Sequence, residues 1–310
     1  MNQIILHNYP QSPVAEKVRK YLGVKGLEWQ SVLIPRIPPK PDLLPLTGGY
    51  RRTPVMQIGA DIYCDSQGIL VELERRFPEP DFHSDWGLAR WSDQVVFPLA
   101  VQLVLGGNAE SLPEDFAEDR GRLYFGPNPD WQQVVAGLPH TIAQLRSALG
   151  LWQDKLSNNG TGSAFLSGQL PGIQDVLAWY IIWFIRGRWS GGPELIGQFR
   201  EIPQWEGRMD ALGHGTIQEL SAAEALDIAQ RSRSTCPAYV DANDPQGLSI
   251  GQHISVIPDS DGGDTGVSGA VQYADYQTIA ILRDDDRVGE VCVHFPRAGY
   301  RIITKELDIE

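Results

Sequence analysis

Apolar runs and the residues that interrupt them organise the first part of the chain. Residues 3–7 form a short Ile/Leu-rich run that predicts a buried strand. The segment Tyr9-Pro10-Gln11-Ser12-Pro13 ends it, and Ser12 with Pro13 predicts an N-cap and the first position of a helix. Val14, Val18, Tyr21 and Leu22 share one face of that helix, and Gly23 and Gly26 close it. Residues 27–34 alternate and predict a second strand, followed by a proline-rich loop over 35–41. Runs at 53–58 and 61–64, divided by Gly59-Ala60, predict a β-hairpin. Asp65-Ser66 then opens a helix carrying Ile69, Leu70, Leu73 and Phe77, which Pro78 and Pro80 end. A parallel strand pair, a hairpin and two helices predict an α/β layered domain.

The period changes near residue 86. Helical stretches at 88–105, 131–155, 175–188 and 193–211 dominate, and eight of the nine tryptophans fall between 86 and 226. An all-helical domain is predicted, its aromatics packing a core or lining an apolar pocket. After Arg233 the runs shorten again: 249–257, 269–273, 277–282, 288–294 and 300–304 predict strands, with turn clusters at 258–264 and 283–287 between them. That spacing predicts a small all-β barrel or sandwich. The expected partition is 1–82, 83–230 and 235–310, with a polar linker at 229–235. The β segment carries enough apolar residues, Ile254, Val256, Ile281, Val291 and Phe295 among them, to be compact and docked on the helical domain.

Charge and cysteine usage narrow the function classes. The 310 residues hold 39 acidic and 26 basic side chains, a formal net charge of −13, which disfavours binding to the phosphate backbone of nucleic acid. Cys64, Cys236 and Cys292 are far apart and form no CxxC, so no zinc site or disulfide framework is predicted, and a reducing compartment is. Residues 1–7 show no basic segment leading into a long apolar one. The most apolar stretch, 176–185, is shorter than the ~20 residues a membrane-spanning helix needs. A cytoplasmic protein with neither nucleic-acid nor membrane partners is expected.

Chemistry concentrates in three segments. Ser12 puts a hydroxyl at a helix N-terminus, where free N–H groups and the dipole favour an anion, although it also reads as a plain cap. In Arg51-Arg52-Thr53-Pro54-Val55, a cis Thr53–Pro54 bond would leave the Val55 backbone free to meet a ligand. Asp65-Ser66 offers a carboxylate, a hydroxyl and bare N–H groups, which suit an α-amino-carboxylate as well as they suit a helix cap.

In this order and context the three segments resemble the glutathione transferases, most closely the serine-type classes such as the plant tau and phi classes and their bacterial relatives. The resemblance covers roughly residues 1–225. It implies a thioredoxin-like glutathione-binding domain followed by an all-helical substrate domain, with glutathione as co-substrate and no metal. It implies that Ser12 donates a hydrogen bond to the glutathione sulfur, with Tyr9 as its competitor. Val55, after Pro54, would pair with the cysteinyl unit, Asp65 and Ser66 would hold the γ-glutamyl group, and Arg52 would face the glycyl carboxylate, with Lys40 and Arg51 as weaker candidates. The activity implied is conjugation of glutathione to small hydrophobic electrophiles, as in detoxification, by a two-fold homodimer. The alternative is a non-catalytic relative, a scaffold or ligand-binding protein whose β segment recognises a partner. At residues 172–175 the family usually has Ser/Thr-Ile-Ala-Asp; here Gly172 replaces the capping hydroxyl and Asp175 is kept. The β segment after residue 235 has no counterpart in the resemblance.

Overall fold

The computed structural model of the protein describes residues 3–82, 86–157, 164–260 and 262–304, without the Trp86 side chain. Met1, Asn2 and the turn residue Asp261 lie outside the described residues. The chain divides into two compact units. One holds the chain up to Val18, Glu28–Arg76 and the chain from Thr216 onward; the other holds Arg19–Leu27 and Phe77–Gly215.

The first unit begins with the predicted elements: β1 (Ile5–Asn8), α1 (Pro13–Val24, shared with the second unit), β2 (Glu28–Leu33), α2 (Leu44–Thr47), β3 (Val55–Ile58), β4 (Asp61–Cys64) and α3 (Ser66–Arg76). β1 runs parallel to β2 and antiparallel to β3, and β3 runs antiparallel to β4. The short turn Gly59-Ala60 closes the hairpin, with Gly59 at φ 64°, a left-handed conformation glycine adopts freely. β1, β3 and β4 are buried throughout, which is why they read as continuous apolar runs.

The second unit is helical. It contains α4 (Trp86–Trp91), which leads through a π-helical turn at Ser92–Val96 into α5 (Phe97–Gly107). Beyond these come α6 (Glu114–Phe125), α7 (Trp131–Ala136), α8 (Leu138–Ser157), α9 (Ile173–Arg188), α10 (Gly192–Gly197) and α11 (Ile202–Ala211). α9 is buried along most of its length, including Trp179 and Tyr180. Its first turn is fixed by Asp175, fully buried, which accepts from the N–H groups of Leu166, Ser167 and Gly172 and from Trp205 Nε1 at 2.7–3.1 Å. Gly172 offers no capping hydroxyl; the Asp175 carboxylate reaches back to the Gly172 N–H and to the preceding loop instead. Among the described residues no helix is long and apolar enough to cross a membrane.

The chain then returns to the first unit through β5 (Thr216–Glu219), α12 (Ala222–Arg231), β6 (Tyr239–Val240), β7 (His253–Pro258), β8 (Val267–Ala274), β9 (Thr278–Asp285), β10 (Gly289–Pro296) and β11 (Tyr300–Thr304). The expected strand-rich segment is present. β7 to β10 form an antiparallel meander and β11 returns to pair with β7. A flat sheet in this order would hold β10 and β11 about 19 Å apart, at ~4.8 Å per step. Only Arg297, Ala298 and Gly299 link them, a span of at most ~14 Å, so the sheet curls.

The expected docking of this segment on the helical domain is corrected by the pairing. β10 lies parallel to β4, with Cys292 opposite Asp61 and His294 opposite Tyr63, and the strands join one 11-stranded sheet in the order β11-β7-β8-β9-β10-β4-β3-β1-β2-β5, with β6 paired to β8. By its contacts the chain from Thr216 onward groups with the first unit. β4 would otherwise be an open edge, and β10 satisfies its backbone groups. One core follows the sheet across the join: Val55, Ile62 and Cys64 share it with Leu226, Val256, Ile281, Val293, Phe295 and Tyr300.

Candidate functional site

The three segments singled out in the sequence meet because of strand register. His7 of β1 lies opposite Val55 of β3, and Val55 lies opposite Cys64 of β4, so the three form one row across the sheet. β1 and β4 leave that row in the same direction and β3 enters it from there. Asn8 and the turn to Ser12, the Thr53–Pro54 pair, and Asp65-Ser66 therefore gather at one end of the sheet.

Ser12 is 2% exposed, at the N-terminus of α1. Its N–H donates to the Tyr9 carbonyl (3.1 Å), and its Oγ accepts from Ala15 N–H (3.1 Å). The cap uses Oγ as acceptor, so the hydroxyl proton stays available to an anion at the helix end. Tyr9 packs against the core of the unit, with Lys40 Nζ 6.0 Å from its ring centre.

The Thr53–Pro54 bond is cis. Val55 is paired on both sides, so its amide and carbonyl face a neighbouring strand. Thr53 is the residue ahead of the ladder. Lys40, 3% exposed, braces that segment: Nζ donates to the Arg51 carbonyl (2.8 Å) and to Thr53 Oγ1 (2.7 Å). Lys40 and Arg51 thus shape the loop before Pro54.

Asp65 stands at φ 72°, a left-handed conformation costly for a residue with a Cβ. Oδ1 accepts from Gln67 N–H at 2.8 Å and the carbonyl from Ile69 N–H at 3.0 Å, so Asp65 caps α3, and Ser66 follows it, 6% exposed. Oδ2 accepts from the hydroxyl of Tyr300 at 3.2 Å, and Tyr300 also contacts the Tyr50 hydroxyl at 3.3 Å. Burial, with Asp65 beside them, pushes both phenols well above their ordinary range, so both stay protonated. Arg52 is likewise held by the C-terminal segment, through the loop between β7 and β8. Its Nε and a terminal nitrogen grip both carboxylate oxygens of Asp264 at 2.5–3.1 Å, and that nitrogen reaches Ser260 Oγ at 2.7 Å. Burial is the largest single effect and opposes its charge, but the Asp264 hydrogen bonds together with the electrostatic pull of Tyr50, Asp264 and Tyr300 outweigh it and raise the guanidinium pKa further.

Sequence reasoning missed Tyr50, Asp264 and Tyr300. Tyr300 reaches the site because β10, parallel to β4, ends beside Cys64 and the three-residue link delivers β11 there; no local pattern carries that information. Cys64 is fully buried and burial pushes its thiol up, as befits a small core residue. Elsewhere in the unit Cys236, Cys292 and His294 present donor atoms within 4.8 Å of one another. In the helical unit a cavity of about 250 Å³ is lined mainly by Leu88, Trp91, Leu151, Trp152, Leu177 and Ala178, an apolar site of the kind the tryptophan content predicts.

A model of the glutathione S-transferase N-terminal domain matches residues 6–81. Along the whole length, the chain is 34% identical to a GST-like protein from Pseudomonas syringae, covering 97% of this chain and 99% of that one with a TM-score of 0.74. The chain belongs to the glutathione S-transferase family. More distant solved structures share the fold. Glutathione S-transferase III is 18% identical over 67% of this chain and 92% of its own, with a TM-score of 0.50. Poplar glutathione transferase F1 is 14% identical over 68% and 93%, with a TM-score of 0.51. Those two leave about a third of this chain unmatched, whereas the Pseudomonas protein spans it. A search of curated proteins finds no match.

Proposed function

We propose that this protein is a glutathione transferase in which Ser12 activates the thiol of glutathione for attack on small hydrophobic electrophiles. One observation carries the reading: a buried hydroxyl caps α1 at the end of the sheet where cis Pro54 and Asp65-Ser66 also gather. A free thiol titrates near ~8.5 and is mostly protonated at neutral pH. A hydroxyl donating to a charged acceptor contributes ~1.5–3 kcal/mol and a helix N-terminus a further ~0.3–1. Together they lower a thiol pKa by ~2 units, which needs ~2.7 kcal/mol. The thiolate then forms a carbon–sulfur bond to the electrophile, and the leaving group departs with the displaced electron pair.

In this reading the backbone pairing with the cysteinyl unit falls to Thr53 rather than Val55, whose groups the sheet uses. Asp65 and Ser66 receive the γ-glutamyl group. Arg52 reaches the glycyl carboxylate only by exchanging Asp264 for it. The reading extends to a cytoplasmic two-fold homodimer, which light scattering tests directly.

The deciding experiment follows thiolate absorbance of bound glutathione against pH, with conjugation to a general aryl halide measured in parallel. Ser12→Ala is expected to leave glutathione affinity within a few-fold and raise the bound-thiol pKa by about one to two units. An unchanged pKa would transfer the role to Tyr9. Binding to immobilised glutathione without turnover of any electrophile would remove the catalytic reading.

A further inference from the structure

Alternation along β10 sets Cys292 and His294, two residues apart, on one face of the strand. Parallel pairing adds Asp61 opposite Cys292 and Tyr63 opposite His294, and the Tyr63 and His294 rings stack at 4.4 Å. The extended segment after α12 lies across this face. Ser234 Oγ donates to Asp61 Oδ1 at 2.5 Å, and Thr235 donates to Oδ2 from its N–H (2.9 Å) and its hydroxyl (2.8 Å). Cys236 follows at once. Its N–H donates to Ser234 Oγ (3.1 Å) and its carbonyl accepts from Gln272 Nε2 (2.9 Å), so its backbone is pinned on both sides. Two sulfurs and an imidazole nitrogen are thereby brought within 4.8 Å of one another, although their residues are far apart in sequence.

We propose that Cys236, Cys292 and His294 form a binding site for a thiophilic divalent cation, with zinc as the fitting ion, and that Asp61 is its supporting carboxylate. The donor set is two thiols and an imidazole, the combination that selects zinc over oxygen-seeking cations. Asp61 Oδ1 lies 3.1 Å from His294 Nε2. A carboxylate accepting from one ring nitrogen fixes the tautomer that presents the other as a lone pair, the usual support of a metal-bound histidine. Asp61 is itself 1% exposed and held by Ser234 and Thr235, so it is a positioned carboxylate rather than a solvated one. Cys292 is fully buried, while Cys236 and His294 are half-buried, so the cluster reaches from the core toward solvent. Binding replaces the two thiol protons, which leave to solvent, and no oxidation state changes. The site is distinct from the segments around Ser12, and the proposal does not depend on glutathione binding.

The test uses the full-length, reduced protein, freed of metal and titrated with Zn²⁺ against a chromophoric chelator, with Co²⁺ as the spectroscopic probe. The expected result is one ion per chain and a thiolate-to-cobalt charge-transfer band. Cys236→Ser and His294→Ala are expected to abolish tight binding, and Asp61→Asn to weaken it ~10–100-fold. Cys236 lies outside the sheet, so its variant remains informative if a change at buried Cys292 prevents folding; thermal melting confirms that each variant is folded. Zinc uptake by Cys236→Ser equal to that of the parent would overturn the proposal. So would a cobalt adduct without the thiolate band, or a Cys236–Cys292 disulfide whose reduction yields a protein that takes up no zinc.

Discussion

His7 is fully buried in the middle of the sheet, with Nε2 2.9 Å from Gln57 Oε1, while Gln57 donates to the carbonyls of Gly59 and Ala225. Burial lowers its pKa from 6.5 to about 4, against the smaller opposing effect of the Gln57 hydrogen bond. Between those values the unfolded chain binds a proton that the folded chain refuses, so stability falls as pH drops through the window. The loss totals about 3 kcal/mol by pH 4 and does not exist above pH 6.5. Urea unfolding across that range should show the slope in the parent and its absence in His7→Gln. Asp61 acts lower: burial would raise its carboxyl, but hydrogen bonds from His294, Ser234 and Thr235 outweigh it and hold the pKa at about 2. Its contribution is present above the ordinary carboxylate range and is lost only as pH falls toward 2. Asp65 separates backbone from side chain. Asp65→Ala and Asp65→Gly both remove the carboxylate and are expected to weaken glutathione binding by ~2 kcal/mol if the γ-glutamyl ammonium sits there. Only glycine relieves the φ of 72°, so it should leave the protein about 1 kcal/mol more stable than alanine does. Equal melting of the two variants would remove the argument from strain, and calorimetry showing unaltered glutathione affinity would remove Asp65 from the binding site.

At the scale of elements, α9 depends on one side chain. Asp175→Ala leaves the N–H groups of Leu166, Ser167 and Gly172 and the Trp205 indole without their buried acceptor. At ~1–3 kcal/mol for each buried donor left unpaired, with some repaired by water, a loss of about 3–5 kcal/mol is expected by chemical denaturation. A loss below about 1 kcal/mol would mean that water replaces the carboxylate. This element was legible because its signals are local: a turn, a glycine, an aspartate three residues on, then an apolar run. The same holds for β1, α1, the β3–β4 hairpin and α3, each bounded by proline, glycine or a capping residue, and it made Ser12, Pro54, Asp65 and Ser66 readable as one group. Strand partnership carries no local signal. The alternation in β10 fits a barrel of its own as well as a place beside β4, and only the uncovered β4 edge distinguishes them. Tyr300 beside Asp65, Asp264 on Arg52, and Cys236 beside Cys292 all follow from that pairing, and all were beyond the reach of sequence spacing. Val55 follows Pro54 as the sequence reads, and its place in the ladder, opposite His7 of β1 and Cys64 of β4, is likewise set by strand partnership.

In the whole molecule, the C-terminal strands complete the first unit. β10 covers the β4 edge, and the core runs unbroken from Ile62 and Cys64 into Val293 and Phe295. Arg287 donates to the Pro41 carbonyl at 3.0 Å and pairs with Asp42 at 2.9 Å, and Arg283 donates to the Pro45 carbonyl. Arg283 also explains Gly48, which ends α2 at φ 71°: a Cβ there would collide with the guanidinium as well as strain the backbone. Arg52 and Asp264 close a third contact at 2.5 Å. Removing the chain from Ser234 onward therefore does more than delete an appendage. It strips the partner from β4, exposes the apolar residues that face Phe295 and Tyr300, and leaves Arg52 and Asp65 without Asp264 and Tyr300. The shortened protein is expected to melt lower than the full chain and to aggregate, because an open strand edge beside an uncovered apolar face invites pairing between copies. Lys or Glu placed on β4 in the truncated chain should reduce the aggregation without restoring the melting temperature, since charge blunts an edge but does not rebuild a core. A truncated protein that stays soluble with an unchanged melting temperature would show that the first unit closes without these strands, and the shared core would then be packing without cooperativity.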